Sequence, residues 1–152
     1  MPSKYVKFRG KAHFVKPWDS QIDREYEDPS NPKDRGGNWN GGVIVDDAAL
    51  KVFNAIGGKG EPKEHEDGHL LTFRRYEKLG NGQPLRTRNV AVRGVEANTP
   101  IGNGSDITMI VEVYDTAYRG KPIVGTRWAG IDVHELVEYV KPERPMDEEV
   151  PF

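Results

Sequence analysis

The chain contains no cysteine, which excludes disulfides and thiolate metal sites. It also lacks any long apolar run, so no segment reads as a membrane-spanning helix. The opening residues "MPSKYVKFRG" have none of the apolar stretch that a signal peptide needs. These absences lead to the expectation of a cytoplasmic protein with no membrane partner. An excess of one charge is missing too, because the formal net charge is only −2. Whole-chain charge therefore says little about an anionic partner. What is present is 152 residues, 36% apolar and 30% charged, with 17 glycines and 11 prolines. That composition fits one soluble, turn-rich domain with a single core.

Local charge is more informative than the total. Residues 1–16 carry Lys4, Lys7, Arg9, Lys11 and Lys16 and no acid. Residues 69–93 carry Arg74, Arg75, Lys78, Arg86, Arg88 and Arg93 against Glu77 alone. Acids gather in 19–34, in 61–67 and at the C-terminus. Charge runs are often only solvated faces, but here they follow strand periodicity. In "YVKFRGKAHF", Tyr5, Lys7, Arg9, Lys11 and His13 alternate with Val6, Phe8, Gly10, Ala12 and Phe14. The spacing predicts a strand with one basic and one apolar face. In "HLLTFRRYEKL", Leu71, Phe73 and Arg75 oppose Thr72, Arg74, Tyr76 and Lys78. In "SDITMIVEVYDT", Ile107, Met109, Val111 and Val113 share a face opposite Tyr114. "IVGTRWAGIDV" places Thr126 and Trp128 opposite Arg127, Ala129 and Ile131. "RTRNVAVR" and "NWNGGVIVDD" are shorter candidates; Gly41 and Gly42 in the second mark a bend or bulge. Trp39 shares parity with Val43 and Val45, which leaves both a core and a surface role open.

One helix is predicted, in "DDAALKVFNAIGG". Asp46 or Asp47 can cap it, Leu50, Phe53 and Ile56 share a face, and Gly57-Gly58 stop it. Residues 17–38 and 57–68 read as long polar loops. Five or six bent strands with one helix and long loops point to an all-β, OB-fold-like barrel. Such barrels present a basic, aromatic-studded face to single strands, with cations on phosphates and rings under bases. The candidate contacts are Arg9, Lys11, Arg74, Tyr76, Arg88, Arg93 and Trp128, with Lys7, Arg86 and Tyr114 behind them. Each ring has a competing role as core, since buried Tyr and Trp often keep only a polar edge wet.

The chain closes on "MDEEVPF", three acids followed by Val150, Pro151 and a terminal Phe152. This resembles the C-terminal tip of bacterial single-stranded DNA-binding proteins. "KFRGKAHFVKPW", "NWNGGVIVDDAALKVFNAIGG" and "PIGNGSDITMIVEVYD" resemble segments of phage single-stranded DNA-binding proteins. The tip and the "IGNGS" turn are the most specific of these. The long acidic loop and the short acid run depart from the pattern. The resemblance implies a non-enzymatic, cofactor-free protein that coats single-stranded DNA during replication, recombination and repair, in a host cytoplasm if phage-encoded. It divides the chain into a binding domain over 1–140 and an acidic tail over 141–152. It also implies that Asp147, Glu148, Glu149, Val150, Pro151 and Phe152 recruit replication or recombination proteins. The ring and α-carboxylate of Phe152 suit an apolar pocket with a basic rim, and Pro151 lowers the ordering cost. Homo-oligomerisation stays open.

Two other classes compete. A β-barrel interaction module, virion or regulatory, would use the tail and not bind DNA. "HEDGH" at 65–69 matches the zinc-peptidase pattern H-E-x-x-H, which needs both histidines on adjacent turns of one helix. Asp67-Gly68 inside the motif and Pro62 before it oppose a helix, so a polar loop and no bound metal are expected.

Overall fold

Alternating apolar and polar residues turn most of this chain into strands. The computed structural model describes residues 4–24, 30, 32, 34–56, 61–79, 85 and 90–137. Its elements are β1 (Lys4–Lys16), β2 (Asn38–Val45), α1 (Asp47–Ile56), β3 (Lys63–His65), β4 (Gly68–Tyr76), β5 (Ala91–Arg93), β6 (Asp106–Tyr118) and β7 (Lys121–Glu135). They form one curled seven-stranded sheet in the order β3-β4-β2-β1-β6-β7-β5. All pairings are antiparallel except β5 with β7. The architecture is OB-fold-like, as expected, but with seven strands instead of five or six. The additional strand is β3, three residues long and too short to show a period, in the stretch that reads as a loop over 57–68. The short candidate in "RTRNVAVR" ends on β5.

The core is built from the inward faces of the four long strands and β2. Phe8, Val43, Leu71, Phe73, Ile107, Met109, Val111 and Trp39 are all buried, which settles Trp39 as core. Helix α1 closes one end. The Asp46 carboxylate accepts the N–H of Ala49 at 2.9 Å, a side-chain N-cap. Phe53 then reaches inward against Phe8 and Phe73, at ring distances of 6.2 and 5.9 Å. Edge-to-face pairs of this kind contribute about 0.5–1.5 kcal/mol each beyond burial. Asp47 at the first turn also meets His69 of β4 at 2.6 Å, tying the helix to the sheet.

Three register shifts interrupt the ladders among the described residues, and two of them overturn the expected alternation. In β1 the register with β2 jumps from His13↔Gly42 to Lys16↔Asn40. Val15 takes the inward position and is 3% exposed, whereas Phe14, expected on the apolar face, is 58% exposed. In β7, Trp128 pairs with Val111 and Gly130 with Ile110, so Ala129 is extra. A bulge shifts the parity of everything beyond it. Trp128 and Ile131, expected on opposite faces, are therefore both buried. The "IGNGS" turn braces the first bulge. Ser105 Oγ donates to the Gly102 carbonyl and accepts the Val137 N–H, both at 2.8 Å, and the Asn103 side chain accepts the Phe14 N–H at 2.7 Å.

Candidate nucleic-acid interface

The outward positions of β4 carry Thr72, Arg74 and Tyr76, as the alternation predicts. Opposite them rises the long β6–β7 hairpin, with Tyr114 on one strand and residues 123–127 on the other. Between these walls lies a groove of about 1070 Å³. Among the described residues four cations line it, Arg35, Lys63, Arg74 and Arg127, beside the carboxylate of Glu61. Its two tyrosines are each covered by a guanidinium. Arg35 lies 3.9 Å from the centre of the Tyr76 ring, and Arg127 lies 4.4 Å from that of Tyr114. Stacking holds each guanidinium flat while leaving its N–H edge available for hydrogen bonds.

The supports of this pair of contacts can be traced. The Arg35 carbonyl accepts the Lys78 N–H at 3.0 Å, and the Gly37 carbonyl accepts that of Glu77 at 3.0 Å. The Glu77 carboxylate in turn accepts the Gly37 N–H at 2.9 Å and pairs with Arg24 at 2.7 Å. Arg35 is thus pinned beside the end of β4. Across the groove, Arg127 donates to Glu112 at 2.8 Å, with both side chains largely buried. Tyr114 faces Gly125 on the paired strand. A Cβ at position 125 would sit 2.4 Å from Tyr114 Cζ, so glycine is what lets the ring lie across β7.

Of the residues predicted from sequence, Arg74, Tyr76 and Tyr114 come together here. Lys7, Arg9 and Lys11 lie on the outward face of β1, away from the groove. Arg9 is held there by Asp106, at 2.8 and 3.1 Å. That hydrogen-bonded pair raises the Arg9 pKa and lowers that of Asp106. Arg93 is on β5 at the far edge of the sheet, with Nε 3.1 Å from Asp132. Trp128 is a correction: it is 0% exposed and offers no face to a base. Its indole N–H donates to the Gly130 carbonyl at 2.9 Å, and Gly41 makes room for its ring. Arg86, Arg88 and the tail residues Asp147, Glu148, Glu149, Val150, Pro151 and Phe152 lie outside the described residues.

Sequence reasoning missed Arg35, Lys63 and Arg127. Arg35 and Lys63 sit in segments whose acids dominate the composition. Arg127 could have been found, since it is the outward neighbour of a tryptophan. The "HEDGH" motif forms no zinc site of the peptidase kind. It spans a hairpin in which His65 pairs with Gly68 and His69 with Glu64, so the histidines project to opposite faces.

No protein-family model and no curated protein sequence matches the chain. Solved structures do resemble it. The single-stranded DNA-binding protein gp2.5 of bacteriophage T7 superposes with a TM-score of 0.56 at 15% identity, over 97% of this chain and 95% of that one. The single-stranded DNA-binding protein of bacteriophage Enc34, in complex with single-stranded DNA, gives 0.52 at 9% identity, over 90% and 89%. The fold is shared with phage single-stranded DNA-binding proteins. A C-terminally truncated Enc34 protein gives 0.51 at 7% identity, over 90% of this chain. The likeness spans nearly the whole chain.

Proposed function

We propose that the protein binds single-stranded DNA along the groove between β4 and the β6–β7 hairpin, without catalysis and with weak sequence preference. The observation that carries this reading is the pairing of guanidinium and ring on both walls, Arg35 with Tyr76 and Arg127 with Tyr114. Cations that track phosphates beside rings that stack on bases are what sequence-tolerant single-strand binding needs. The likeness to a phage protein solved with single-stranded DNA supports the same reading. Coating DNA during phage replication, recombination or repair is the role that follows. The acidic tail over 141–152 would recruit partners through Phe152 and compete with DNA for the groove.

Fluorescein-labelled oligo-dT tests the proposal. It should bind well above duplex of equal length and weaken steeply with salt as counterions are released. Arg74→Ala should flatten the salt slope by about one unit if it removes one phosphate contact. Tyr76→Ala should cost about 1–3 kcal/mol and leave the slope unchanged, because stacking releases no ions. Equal affinity for duplex and single strand, or no binding at low salt, removes the DNA reading and favours the interaction module.

A further inference from the structure

Phe14 is the oddest residue on the surface. Its φ is +48°, in the left-handed region that bulky side chains rarely adopt. The strain is not relieved by burial, because the side chain is 58% exposed. Instead the chain holds the conformation in place. The Asn103 side chain takes the Phe14 N–H at 2.7 Å, and the Ala12 N–H donates to the Ser105 carbonyl at 2.9 Å. A strained backbone that presents an apolar ring to water calls for a use beyond stability.

Its neighbours indicate which use. The Phe14 ring meets His13 edge-on at 4.6 Å, and His13 meets His65 at 5.5 Å. Three flat rings therefore form a strip on the outward face. Exposed Lys16 lies two residues on. Strand register links this strip to the groove. Lys16 pairs with Asn40, and Asn40 pairs with Arg74 of the groove wall. His13 pairs with Gly42, and Gly42 pairs with Thr72. Two strand spacings, about 10 Å, separate β1 from β4. Between His13 and Thr72, position 42 is glycine, and the Leu70 side chain lies over it, with Cδ1 2.8 Å from where a Cβ would sit, so the path across β2 runs over an apolar surface.

We infer that Phe14 is a second base-stacking platform, which receives a nucleobase of a single strand leaving the groove across β2. The inference rests on the reading of the groove as a single-strand site. Its chemistry is the same: a ring with a free face, beside a lysine for the adjacent phosphate. The bulge supplies what a regular strand would not. Without the extra residue, position 14 would point into the core, as the sequence period expects.

The test uses the full-length protein and two probes, labelled oligo-dT of about 4 and about 16 nucleotides, the range that one OB-fold occupies. Phe14→Gly suits the positive φ, so it should melt at or above wild type. It should bind the long probe roughly fivefold to a hundredfold more weakly, with an unchanged salt slope, and the short probe as wild type does. Phe14→Asn, which also tolerates this φ, should repeat the result. Phe14→Trp should retain affinity, and its added fluorescence should be quenched by the long probe only. If Phe14→Gly binds both probes as wild type does, the platform does not exist and the groove reading survives. If it loses both probes equally, Phe14 acts on the groove itself and the inference fails. If wild type binds neither probe, the groove reading falls and takes this one with it.

Discussion

Gly125→Ala would perturb one ring without touching a charge. The new Cβ would lie 2.4 Å from Tyr114 Cζ, 2.5 Å from Cε2 and 2.7 Å from Oη. Carbon atoms pack at about 3.5–4.0 Å, so the ring must move by about 1 Å or more. The obstructing atoms are the far end of a side chain, which can swing away while the backbone stays. Stability should therefore change little. Loss of the Arg127 stack costs about 0.5–2 kcal/mol, and replacing a strand glycine by alanine returns about 0.5–1 kcal/mol. DNA binding should change more. A displaced Tyr114 forfeits one stacked base, about 1–3 kcal/mol, or roughly 5- to 150-fold in affinity. Anisotropy with labelled oligo-dT measures this, and thermal melting checks the fold. Tyr114→Ala should weaken binding to the same extent. The double variant should be no weaker than either single one, because both remove the same contact. Wild-type affinity for Gly125→Ala beside a weakened Tyr114→Ala would refute the reasoning. So would additive losses in the double variant.

Other perturbations probe separate parts. Trp128→Ala should lower stability by about 3–5 kcal/mol in urea unfolding, with unchanged affinity in the folded fraction, since the ring is core; an equally stable variant that loses DNA would contradict its burial. Burial, with His65 nearby, lowers the pKa of His13 from its ordinary 6.5. The unfolded chain then binds more protons, so stability is present above about pH 6.5 and is lost as pH falls from there through the lowered folded-state pKa, and His13→Gln should remove this part of a melting-versus-pH curve. Deleting residues 147–152 should raise oligo-dT affinity modestly at low salt, whereas deleting Phe152 alone should leave it unchanged and cut recovery of replication proteins in a pull-down. Equal recovery by both baits would dismiss the terminal ring as a hook.

The strands were legible where a single period governs them. Leu71, Phe73, Ile107, Met109 and Val111 all occupy the inward positions that alternation assigns. So do Arg74 and Tyr76 on the outward side, where both line the groove. Legibility ended at the bulges. One extra residue at Ala129 moved Trp128 from a proposed stacking ring to the core, and one at Phe14 did the reverse. A bulge is fixed by what braces it, here the Asn103 side chain and the "IGNGS" turn some 90 residues away. No local window contains that information. Arg35 was hidden for a related reason, because its place over Tyr76 depends on Glu77, Arg24 and Gly37.

The groove exists because the sheet curls without closing fully. Inward positions of β4 read Leu71, Phe73 and then Arg75, where a third apolar residue would continue the face. Arg75 is only 6% exposed, and burial, followed by the nearness of Arg127, lowers its pKa. It remains charged all the same, since guanidinium holds its proton in proteins. A buried cation is costly unless it is hydrogen-bonded, so its position needs a reason. Its Nη1 donates to the Trp128 carbonyl on β7 at 3.3 Å. Strand edges that face each other without a ladder leave such carbonyls in want of donors. A side chain can supply one across a gap that is too wide for backbone pairing. A direct β4–β7 ladder would satisfy the same carbonyl but would draw Arg74 and Tyr76 onto the hairpin, and so shut the groove. The arginine latches the inner side of the seam, while Tyr76 and Tyr114 line the groove outside it and face the proposed strand.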